Sequence, residues 1–114
     1  MTFNDIDRHK IKKEVGDFCA RKTPAHLKDQ LRFEYEIENQ NVIIYEIRPV
    51  WNQKDQHTKM PIAKLTYVST GQVWKLYWMR ASGKWEKYPP MDSVKELSAL
   101  VQAIDKDRNG CFFG

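Results

Sequence analysis

Between residues 31 and 38 the chain reads LRFEYEIE, an alternation without a fault. Leu31, Phe33, Tyr35 and Ile37 fall on one side of an extended backbone, and Arg32, Glu34, Glu36 and Glu38 on the other. Alternation of this kind marks a strand with one dry and one wet face, so the chain is committed to a sheet covered on one side only. VIIYEIRPVW (42–51) follows after Asn39, Gln40 and Asn41, which carry turn chemistry. A three-residue turn with Asn41 left-handed pairs Ile37 with Ile43, Tyr35 with Tyr45 and Phe33 with Ile47. That register sends Glu46 and Arg48 to the wet face, where the diagonals Glu34–Arg48 and Arg32–Glu46 offset the like-charge pairs. Pro49 cannot donate to a ladder and marks an edge or a strand end.

The rest of the chain supplies partners for that strand. NQKDQHTKM (52–60) reads as a polar loop, PIAKLTYV (61–68) as a third strand and VWKLYWMR (73–80) as a fourth. Setting Val68 against Val73 puts Tyr67 by Trp74, Leu65 by Leu76 and Ala63 by Trp78 on the core face. Thr66 by Lys75 and Lys64 by Tyr77 then share the other. Residues 81–84 turn the chain into a short strand, WEKY, stopped by Pro89 and Pro90.

Two amphipathic helices flank the strands. The first covers residues 4–22, capped by Asn4 or Asp5, with Ile11, Val15, Phe18 and Cys19 as its apolar stripe and Thr23-Pro24 as its stop. A capping box of Ser93 and Glu96 opens the second, whose stripe is Leu97, Leu100, Val101 and Ile104. The expected fold is a single α+β domain over residues 1–114: a five-stranded antiparallel meander with an N-terminal and a C-terminal helix packed on one face. At least one of Phe112 and Phe113 should dock into the core, since two exposed phenylalanines at the C-terminus would be costly in water.

Composition narrows the class. With 41% hydrophobic and 30% charged residues the chain is globular rather than disordered. MTFNDIDRHK lacks the apolar core of a signal peptide, and no apolar run is long enough to span a bilayer. Cys19 and Cys111 are too few for a disulfide framework, which leaves the cytoplasm as the expected location, with both as thiols.

Charge is unevenly placed. Residues 61–90 hold Lys64, Lys75, Arg80, Lys84 and Lys87 against Glu86 alone, a net of +4 equal to that of the whole chain. Six of the 14 aromatic residues lie in the same segment. Interleaved cations and rings point to polyanion binding where the rings are exposed, but the hairpin register assigns Trp74 and Trp78 to the core. The candidate ligand-binding set on the wet face is therefore Glu46, Arg48, Lys64, Lys75 and Tyr77.

Other chemistry finds little support. Asp105, Asp107, Asn109 and Gly110 fit the start of a calcium loop, but the bidentate carboxylate on its twelfth residue has no counterpart in the chain. His9, His26 and His57 lie in separate segments, without zinc spacing. Cys19 sits on an apolar stripe and no base can be assigned to Cys111. No catalytic residue, metal or cofactor is expected.

YEIRPVW (45–51), AKLTYV (63–68), VWKLYWMR (73–80), KWEKY (84–88) and the closing CFFG together give the chain a resemblance to a family of small bacterial proteins known only as a domain of unknown function. The resemblance runs from the first helix to the last residue. It implies a bacterial, cytoplasmic protein and brings no activity, ligand or site residues with it. The leading expectation is a non-enzymatic accessory or protein-interaction module with a protein partner and no membrane association. A nucleic-acid-binding module using residues 61–90 comes next, and an enzyme with a Glu46/Arg48 site third.

Overall fold

The computed structural model describes residues 3–23, 25–27, 30–50, 53, 55–88, 93–107 and 110–112. Its centre is one antiparallel sheet in the order β1-β2-β3-β4-β5. The strands are β1 (Arg32–Glu38), β2 (Asn41–Pro49), β3 (His57–Val68), β4 (Val73–Met79) and β5 (Trp85–Lys87). Helical segments lie before and after: α1 (Asp5–Ile11), a π-helical stretch Lys12–Gly16, α2 (Asp17–Lys22) and, at the other end, α3 (Leu97–Lys106). This is the expected meander with a helix at each end.

The first helical run begins where its cap places it: Asn4 Oδ1 accepts the Asp7 N–H at 2.8 Å. Ile11, Val15, Phe18 and Cys19 are all buried, so the stripe survives the π-helical stretch. Thr23 closes the run and ties it to the sheet. Its hydroxyl donates to the Cys19 carbonyl at 2.9 Å and accepts the Phe33 N–H, also at 2.9 Å. Pro24 lies outside the described residues.

One apolar cluster joins both helices to one face of the sheet. Phe18, Leu97, Leu100 and Ile104 meet Val42, Ile44, Leu65 and Leu76, all at most 1% exposed. At one end of the cluster Phe3 stacks on Trp74 with centroids 5.6 Å apart. At another, Phe112 tilts against Tyr88 at 5.1 Å and is 4% exposed. The expected docking of the tail is thus met by Phe112, held by its N–H donating to Asp107 Oδ1 at 3.0 Å. Phe113 lies outside the described residues.

The β3–β4 hairpin has the register expected of it, from Val68 opposite Val73 to Ala63 opposite Trp78. Trp74 is buried, while Trp78 is partly buried against the core. Three other expectations fail. β3 begins at His57 rather than Pro61, because β2 runs on to Pro49 and pairs with His57–Met60. α3 begins at Leu97 without a side-chain cap, since residues before it are extended: Val94 bridges Trp74 in both directions, at 2.6 and 3.0 Å.

The third failure matters most. Ile37 pairs with Val42, Tyr35 with Ile44 and Phe33 with Glu46, so the β1–β2 turn has two residues, not three. Asn39, at φ 55°, takes the left-handed position assigned to Asn41. Asn41 starts β2, and its Oδ1 accepts the Thr66 hydroxyl at 2.6 Å. A one-residue slip exchanges the faces of a strand. Val42 and Ile44 therefore enter the core, and Ile43, Tyr45 and Ile47 turn to the open side.

Candidate functional site

The corrected register defines the open face row by row. Glu36, Ile43, Lys64, Tyr77 and Lys87 stand opposite one another across all five strands. Glu38, Asn41, Thr66 and Lys75 form the adjoining row. On the other side come Glu34 with Tyr45, Arg32 with Ile47 and Lys59, and Met79 with Trp85. Charge is sorted along these rows. β1 contributes Glu34, Glu36 and Glu38 with Arg32, while β3, β4 and β5 contribute lysines. The middle is apolar: Ile43 and Ile47 are 8% and 5% exposed, although both stand outside the main core.

Neighbouring side chains cover those isoleucines. Lys59 reaches across the face to pair with Glu36, and its ammonium lies 4.4 Å from the centre of the Tyr45 ring. That hydrogen bond holds the Glu36 carboxyl below its usual range and raises Lys59. Burial, followed by the charge of Glu36, raises the Tyr45 hydroxyl. Further along, the Lys64 ammonium lies 4.8 Å from the Tyr77 ring centre and 5.2 Å from that of Trp85. A lysine over two rings keeps its stem against apolar surface and its charge outward.

Of the five residues expected to form a site, Lys64, Lys75 and Tyr77 share this face. Glu46 and Arg48 do not. Glu46 is in register with the buried Phe33 and with Met60, on the helix side, and Arg48 pairs with Glu46 two residues along the strand. Sequence reasoning missed Tyr45, Trp85 and Lys87. The signal was available in the run Val42-Ile43-Ile44: consecutive β-branched residues put apolar side chains on both faces of a strand.

Glu46 instead borders a groove of about 610 Å³ at the end of the sheet, lined also by Met60, Met79, Arg80, Cys111 and Phe112. Its charges have protein partners: Arg80 pairs with Glu86 at 3.3 Å and Glu46 with Arg48. No disulfide joins Cys19 and Cys111. Burial pushes the Cys19 thiol up to about 12, which suits a core residue and not a nucleophile. Of the calcium-loop positions, Asp105 pairs with Lys22 at 2.7 Å and Asp107 holds Phe112, while Asn109 lies outside the described residues. Among the described residues no group of three or more His, Cys, Asp or Glu is placed to hold a metal ion, and no helix is long and apolar enough to cross a membrane.

No curated protein and no solved structure matches the chain. Residues 3–114 match the sequence family described as Domain of unknown function (DUF3024). With nearly its full length in that match, the chain belongs to the DUF3024 family.

Proposed function

We propose that the protein is a non-enzymatic interaction module of the bacterial cytoplasm, and that the open sheet face is where it meets a protein partner. The observation carrying this reading is the sorting of charge on that face. Glutamates line β1 and lysines line β3 to β5, with the buried Ile43 and Ile47 of β2 between them and Lys59 reaching across to Glu36. A polyanion would be repelled by half of such a surface, whereas a folded partner can complement both halves and gain specificity from them. Both helices pack on the opposite face, so no helix or further strand among the described residues covers this one. The bacterial and cytoplasmic parts of the proposal rest on the family resemblance and the cysteine usage.

A second reading is favoured by a specific observation. Tyr77 and Trp85 flank Lys64, with Lys75 and Lys87 in neighbouring register, and stacking rings among lysines suit single-stranded nucleic acid. Affinity capture from the native cell separates the two. A protein partner survives nuclease treatment and is lost with Lys64→Glu/Lys75→Glu. Capture that disappears with nuclease, or weakens steeply with salt on an isolated oligonucleotide, would select nucleic acid instead.

A further inference from the structure

We propose that the free edge of β1 accepts an extended peptide carrying Lys or Arg at alternate positions, which adds to the sheet as a sixth strand. The inference goes beyond the open face and stands whether or not Lys64 and Lys75 contact anything. β1 is an edge strand of seven residues, paired only with β2. The Phe33 N–H points away from β2, because it donates to the Thr23 hydroxyl. N–H and C=O directions alternate along a strand, so those of Tyr35 and Ile37 point the same way. Thr23 caps the edge at Phe33. Beyond it, Tyr35 and Ile37 present donors and acceptors that no strand among the described residues takes.

A cleft of about 310 Å³ opens at this edge, lined by Gly16, Cys19, Ala20, Phe33, Glu34 and Tyr35. Its lining draws on both faces of β1, Glu34 from one and Phe33 and Tyr35 from the other, so it lies at the strand's margin. The helical wall opposite is made of small residues, which leaves room for an apolar side chain of an added strand. Peptides that extend a sheet gain affinity from main-chain bonds and specificity from pockets for alternate side chains.

Charge selects the occupant. Glu34 pairs with Arg32 and Glu36 with Lys59, yet both glutamate side chains stay 54% exposed, and Glu38 is exposed beside them on the same face. An added strand sets its own alternate residues next to these carboxylates, where opposite charge stabilises and like charge destabilises. A second copy of β1 would bring glutamates against glutamates, so the row that blunts the edge against self-pairing favours a basic strand.

The test uses the full chain and a short peptide alternating lysine with valine, with a threonine–valine peptide as the neutral control. The lysine peptide should bind and slow amide exchange at Tyr35 and Ile37. Glu34→Lys/Glu38→Lys should weaken it about tenfold or more, since two favourable pairs become unfavourable. Ile37→Pro removes the outward N–H together with a side chain packed against the core, and should weaken it too; the exchange measurement on the unaltered protein stands even where that variant folds poorly. Unchanged exchange at saturating lysine peptide would overturn strand addition. Equal binding of the neutral peptide would overturn the charge selection. Protection of the same amides by a dimer of the protein alone would replace the peptide with a second copy.

Discussion

At Trp78 the indole Nε1 is buried with no hydrogen-bond partner among the described residues. An unsatisfied buried donor costs about 1–3 kcal/mol, so this ring stabilises the fold through its area and not its N–H. Trp78→Phe should therefore cost under about 1 kcal/mol, while Trp78→Ala should cost about 3 kcal/mol through the cavity it leaves. Urea melts of the two variants give the comparison, and equal losses would mean the donor is satisfied. Cys19 offers a pH-dependent counterpart. Its thiol is raised from 9.0 to about 12 by burial, with the charge of Glu34 adding to it. A folded pKa above the unfolded one makes the contribution whole below the unfolded pKa, and it is lost as pH rises toward the folded one. Stability should thus fall from about 9.0 upward toward about 12, less steeply in Cys19→Ala. Tyr45 is raised as well and acts in the same direction in both proteins, whereas Tyr35 is raised by burial and then by the charge of Cys19, so the difference between the two profiles reports Cys19 together with its effect on Tyr35. Identical profiles would contradict the assignment.

At the scale of elements, the β1–β2 hairpin decides what the open face is made of. Asn39 holds it at φ 55°, a conformation that side chains with a branched Cβ resist. Asn39→Gly should leave stability equal or slightly higher, and Asn39→Val should cost about 1–2 kcal/mol by denaturant midpoint. A Val variant as stable as the parent would place the strain elsewhere in the turn. The β3–β4 hairpin shows where sequence was readable. Tyr67, Leu65 and Ala63 alternate with polar neighbours, as do Trp74 and Leu76 opposite, so only one register of β3–β4 buries the apolar set. In β2 both sets are apolar: Val42 and Ile44 on one side, Ile43, Tyr45 and Ile47 on the other. Period alone cannot choose between them, and turn length was left to decide. Half the site followed from the readable hairpin, as Lys64, Lys75 and Tyr77. The misplaced half, Glu46 and Arg48, followed from the ambiguous strand. α3 starts late for a different reason: Val94 is claimed by the β4 edge at Trp74, a tertiary contact that overrides a local capping motif.

For the whole molecule, both helical runs lie on one face of a five-stranded layer, and the other is open among the described residues. A sheet covered on one side commonly solvates the other, and a face of paired charges alone would call for no more than that. This face differs in carrying Ile43 and Ile47 under a lysine–tyrosine–glutamate cover, with acid and base on opposite sides. Site-specific photo-crosslinking in the native cell tests the central claim most directly, with the reactive group placed at Tyr77 on the open face or at Gln102 on the exposed side of α3. Discrete protein adducts from position 77, with none from position 102, are the predicted result; adducts from position 102 alone would contradict it.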